Sequence, residues 1–94
     1  MNILVTIPVE ERHRKRLEQI APQASFVYQA AAEVERDVVQ KMDIIIGNVK
    51  PEKIAGTEQL KWLQLNSAGT DGYLAEGVLP KEAKLTNATG AYGL

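Results

Sequence analysis

Cysteine is absent from the 94 residues, which removes a disulfide framework, a thiolate metal site and a redox pair from the designs open to this chain. It fits a cytoplasmic protein. Charge of one sign is equally lacking: eleven basic side chains against twelve acidic ones leave a net charge of -1. No global field draws in a phosphate backbone or an anionic membrane, so neither nucleic acid nor lipid is expected as a partner. No apolar run approaches the roughly 20 residues of a membrane-crossing helix. The apolar start, Met1 to Ile7, has no leading positive charges and runs straight into Pro8-Val9-Glu10-Glu11, so it reads as a strand and not as a signal segment. Histidine occurs once, at His13. It lies between Val9 and Leu17 on the side of a predicted helix with no carboxylate set to orient it, and a structural role is expected.

What is present is an ordinary globular mixture, 45% apolar and 24% charged, sized for one small domain with one core. Asn2 to Ile7 is rich in β-branched residues and ends at Pro8, which supplies no ladder donor. Val9, Leu17 and Ile20 then share one helical face, opposite the charged run Arg12 to Arg16, which is expected to be solvated, and Pro22 ends that helix. Ser25-Phe26-Val27-Tyr28 predicts a second strand. Ala31, Val34, Val38 and Met42 recur at spacings of three and four and predict a second helix. Asp43-Ile44-Ile45-Ile46-Gly47 is a short continuous apolar run closed by glycine, the pattern of a parallel strand covered on both faces.

Pro51 to Gly56 has proline where a helical turn can start and glycine where it stops. Leu60 to Leu65 predicts a fourth strand, with Trp62 in the core. Tyr73 to Glu76 predicts a further helical turn before Gly77, and Lys84 to Asn87 a fifth, shorter strand. Strands alternating with helices and helical turns imply right-handed crossovers and an open parallel sheet. With five strands the flavodoxin-like order 2-1-3-4-5 is expected, helices on both faces.

Ligands of such sheets gather outside the carboxyl ends of the strands. Those ends are Pro8, Gly47-Asn48, Asn66 to Asp71, and Ala88-Thr89-Gly90. The third combines small side chains with Gly69, a backbone bare enough for an anion to touch its amides. The same residues also describe a tight turn with Asp71 capping the next helical turn, and spacing alone does not choose between them.

Other sites fail on local chemistry. A dinucleotide site needs glycines between the first strand and first helix, where Ile7-Pro8-Val9-Glu10 has none and two acids would repel pyrophosphate. An FMN site needs a Ser/Thr-rich turn at the same place. A phosphoacceptor receiver needs an aspartate after the third strand, where Gly47-Asn48 stands. Gly69-Thr70-Asp71-Gly72 and Gly90-Ala91-Tyr92-Gly93 match the GxxG spacing of an RNA clamp, but Asp71 and the lack of a basic flank argue against it.

Leu60-Lys61-Trp62-Leu63-Gln64-Leu65-Asn66-Ser67-Ala68-Gly69-Thr70-Asp71, together with Leu85-Thr86-Asn87-Ala88-Thr89-Gly90-Ala91-Tyr92-Gly93, resembles the D-isomer-specific 2-hydroxyacid dehydrogenases. The resemblance runs through the whole element order and is sharp over residues 60–93. It implies that residues 1–89 form most of a flavodoxin-like substrate domain. Residues 90–94 would begin the hinge helix into a Rossmann domain that binds NAD or NADP, so the chain is expected to be a truncated piece of an oxidoreductase. The backbone amides of Ala68 and Gly69 would then bind the carboxylate of a 2-oxo or 2-hydroxy acid. Ser67 and Thr70 would shape the lip, and Asn48 and Tyr92 would line the cleft.

The family's catalytic arginine, glutamate and histidine match no residue here. The segment is therefore expected to bind no cofactor and to be inactive alone. Family members also return a C-terminal segment onto this domain; without it, part of one sheet face would be bare, and self-association, as a dimer or larger homo-oligomer, is expected. The alternative is a stand-alone flavodoxin-like binding or interaction module without catalysis.

Overall fold

The computed structural model describes residues 1–7, 10–65, 72–73 and 77–86. Five short strands, β1 (Asn2–Val5), β2 (Ser25–Tyr28), β3 (Ile44–Ile46), β4 (Trp62–Gln64) and β5 (Lys84–Thr86), form one sheet in the order β2-β1-β3-β4-β5. Every neighbouring pair is parallel. Strand order and direction are those expected of the flavodoxin-like pattern.

The register fixes which residues share a face, because side chains alternate along a strand. Val27, Leu4, Ile45, Leu63 and Leu85 are directly paired across all five strands. This row packs under Val34, Val39, Met42, Val49, Ile54, Leu60, Tyr73 and Val78, the main core. Two helical turns cover this side: α2 (Arg36–Val39) places Val39 there and α3 (Pro51–Ile54) places Ile54.

The α2–α3 pair is tied by side chains that reach backbone carbonyls. The Gln40 amide donates to Lys53, Ile54 and Ala55 at 3.0–3.2 Å, and the Lys53 ammonium donates to Val34 at 2.7 Å. Those contacts occupy carbonyls that a single helical turn leaves open. The helix expected over residues 31–42 is thereby corrected to the one turn of α2. Residues 31–33 instead form a turn closed by the Glu33 and Val34 amides donating to the Ala30 carbonyl. The apolar spacing was real, but Val34 and Met42 reach the core from turns on either side of α2.

The opposite face carries Ile3, Phe26, Ile44, Trp62 and Lys84 in one paired row and Val5, Tyr28, Ile46, Gln64 and Thr86 in the next. The long helix α1 (Glu11–Ile20) lies on this side, with the Arg14 guanidinium over the Tyr28 ring. None of its residues is buried. Leu17 is half-buried, and Ile20, expected on the packed face, is 75% exposed. Trp62, expected in the core, is 40% exposed. Its indole N–H donates to the Thr86 hydroxyl at 2.9 Å, which also bonds the Gln64 side chain.

His13 stands in the first turn of α1, where its Nδ1 accepts from the Glu10 amide at 3.3 Å. That contact satisfies an amide at the helix start, a structural role as expected. The helical turn expected at Tyr73 to Glu76 lies largely outside the described residues. So do the end of the fifth strand at Asn87 and the hinge residues 90–94. No helix among the described residues is long and apolar enough to cross a membrane.

Candidate functional site

The carboxyl ends of the strands are stitched to one another. The Thr6 amide and hydroxyl both donate to the Ile46 carbonyl, at 2.9 and 3.0 Å, the Gly47 amide donates to Gln64 at 2.8 Å, and the Leu65 amide to Thr86 at 2.8 Å. The sheet therefore ends in a defined edge and does not fray. Gly47 sits there at φ +120°, and a Cβ on it would fall 1.8 Å from the Thr6 hydroxyl oxygen. Only glycine lets β3 turn so tightly beneath Thr6.

The turn at Gly47 delivers Asn48 to the surface and Val49 to the interior, exposed and fully buried respectively. Asn48 therefore lies just outside the carboxyl end of the central strand. The Val49 carbonyl accepts a hydrogen bond of 2.7 Å from the hydroxyl of Tyr73, itself buried. Burial pushes the Tyr73 phenol above its ordinary value, keeping it a donor.

Ser67, Ala68, Gly69 and Thr70 lie outside the described residues, as does Tyr92. Both flanks of the 66–71 loop are described, and both are held. On one side Leu65 is fully buried and bonded to β5. On the other, Gly72 turns at φ +84° against Pro51 at the start of α3, and Tyr73 is bonded beside Asn48. Sequence reasoning missed Tyr73 as an anchor. Its only signal was an aromatic residue just after a glycine.

Dinucleotide chemistry does not fit the residues present. The segment from β1 to α1 has no glycine, and its Glu10 carboxylate pairs with Arg12 at 2.7 Å, with Glu11 next to it. Among the described residues no cluster of three or more acidic or histidine side chains is placed to hold a metal ion.

Strand order, helix placement and stitched carboxyl edge define an α/β domain of flavodoxin-like topology. Among solved structures the chain is similar to phosphoglycerate dehydrogenase from Lactobacillus plantarum, with a TM-score of 0.70 and 26% identity over 96% of this chain and 29% of that one. That neighbour is of the D-2-hydroxyacid dehydrogenase family, so the resemblance carried by residues 60–93 extends to the three-dimensional structure. The chain spans less than a third of the neighbour's length. No family model matches the sequence, and no curated protein does.

Proposed function

We propose that this chain is the substrate-domain part of an NAD(P)-dependent D-2-hydroxyacid dehydrogenase, an oxidoreductase that interconverts 2-oxo and 2-hydroxy acids. The observation that carries the reading is the similarity to phosphoglycerate dehydrogenase along nearly the whole chain. The anchoring of Leu65 and Tyr73, the described residues that flank positions 66–71, supports it, because amides next to fixed backbone can be preorganised toward an anion.

In this reading the amides of Ala68 and Gly69 hold the substrate carboxylate. Ser67 and Thr70 shape the lip, Asn48 lines the cleft from β3, and Tyr92 faces it from the hinge. The nicotinamide and the proton-transfer groups would belong to other parts of the whole enzyme, since the residues here fit neither. The segment contributes binding and orientation of the acid, and alone it would not turn over.

NMR titration with pyruvate and with oxalate provides the test. The expected outcome is weak, millimolar binding that shifts the amides of Ala68, Gly69 and Asn48, abolished by Gly69→Val because a β-branched side chain blocks approach to the backbone. Unchanged binding in Gly69→Val would reduce the loop to a turn. For the whole enzyme, the coding sequence after the Leu94 codon is expected to supply a GxGxxG segment and then arginine, glutamate and histidine; a stop codon there would favour a stand-alone binding module.

A further inference from the structure

A hollow lies at the carboxyl ends of β1 and β2. Val5, Thr6 and Ile7 continuing β1, and Tyr28, Gln29 and Ala30 continuing β2, form its walls, and Arg14 reaches over it from α1. Its volume of about 290 Å³ suits a ligand of a few heavy atoms. The neighbouring cations are already engaged, Arg12 by Glu10 at 2.7 Å and Lys15 by Glu11 at 4.0 Å. Arg14 pairs with no carboxylate among the described residues; its guanidinium rests 4.4 Å from the centre of the Tyr28 ring.

The Tyr28 hydroxyl oxygen is shut off from solvent, and among the described residues it is the one such side-chain polar atom with no hydrogen-bond partner. It remains a protonated donor, because burial and then the Glu18 carboxylate push the phenol upward while Arg14 opposes them. A cation without a carboxylate and a donor without an acceptor therefore meet at one apolar-walled hollow. Both needs are met by an oxyanion. The Glu11 and Glu18 carboxylates flank Arg14 on α1 and disfavour a doubly charged ligand, and the walls of Val5, Ile7 and Ala30 favour a short hydrocarbon body.

We propose that this hollow binds a small monocarboxylate with a compact apolar body, the Arg14 guanidinium and the Tyr28 hydroxyl both donating to the carboxylate. Arg14 and Tyr28 both line the hollow, so a ligand seated there lies beside the guanidinium and the phenol. The proposal uses none of residues 67–70 and stands without them.

Butyrate is the probe, tracked by NMR on the 94-residue chain. The Arg14 side-chain N–H, the Tyr28 ring and the Gln29 amide are expected to shift along one millimolar isotherm, while inorganic phosphate binds more weakly. Arg14→Met keeps the aliphatic stem and is expected to weaken butyrate about tenfold, the loss of a charge-assisted contact. Tyr28→Phe should weaken it about threefold without lowering the melting temperature, because the lost hydroxyl had no partner in the free protein. Butyrate affinity unchanged in Arg14→Met would overturn the proposal, and so would phosphate binding as tightly as butyrate. Shifts confined to Asn48 and the 66–71 loop would assign butyrate to the lip and equally refute a site at Arg14.

Discussion

Gly47 is the residue on which the carboxyl edge depends. Its positive φ and the 1.8 Å that a Cβ would leave to the Thr6 hydroxyl act together. Gly47→Ala is expected to destabilise the fold by about 2–4 kcal/mol, from the left-handed backbone cost plus the clash. Urea unfolding measures it. Thr6→Ala removes the hydroxyl half of the clash, so the double variant should be less destabilised than the sum of the two single ones. Strict additivity would show that the backbone angle alone sets the cost. Asn48, by contrast, is exposed; Asn48→Ala is expected to weaken pyruvate binding in the NMR titration, and unchanged affinity would remove Asn48 from the cleft.

At the scale of elements, a hydrogen bond links Tyr73 to the segment after β3. Tyr73→Phe removes the 2.7 Å bond to Val49 and leaves a buried carbonyl unpaired, at an expected cost of about 1–2 kcal/mol. The pH dependence has a definite sign. The folded phenol titrates above its ordinary value of 10.0, so above about pH 10 the unfolded chain loses its proton first and stability falls as pH rises. The bond contributes fully below that range. Tyr73→Phe should flatten part of the alkaline loss in thermal melts, and an unchanged profile would place the alkaline sensitivity elsewhere.

These elements also show what a sequence can reveal. The Ile44-Ile45-Ile46 run closed by Gly47 and the Pro51 to Gly56 punctuation each carry their own local cause, and β3 and α3 stand where those signals put them. The shortness of α2 was not legible, because the Gln40 and Lys53 bonds that occupy neighbouring carbonyls join residues 13 to 19 positions apart. Nor was the Tyr73–Val49 bond, which spans 24 positions. Trp62 was misplaced because its neighbours say that it is on a strand, but whether its face is covered depends on elements elsewhere.

That coverage decides how the whole molecule behaves. The large apolar side chains exposed among the described residues, Met1, Ile20 and Trp62, all belong to the side of α1. Met1 continues the alternation of Ile3 and Val5, Ile20 ends α1, and Trp62 sits beside the half-buried Ile44. The other face carries the main core. Exposed apolar side chains on one side of the sheet favour a partner, and we expect the isolated chain to self-associate through that side. The flank of α1 is rich in charge, with Arg12, Arg14, Lys15 and Arg16 exposed. Burying those groups offsets much of what the apolar contact returns, so association should be weak and concentration-dependent rather than obligate. Sedimentation velocity across a concentration series is expected to show a rising average mass for the wild-type chain. Trp62→Lys should hold the chain monomeric and leave the main core intact, because Trp62 points away from it. A wild-type chain that stays monomeric at high concentration would show that α1 and the surrounding polar groups are sufficient cover for the face.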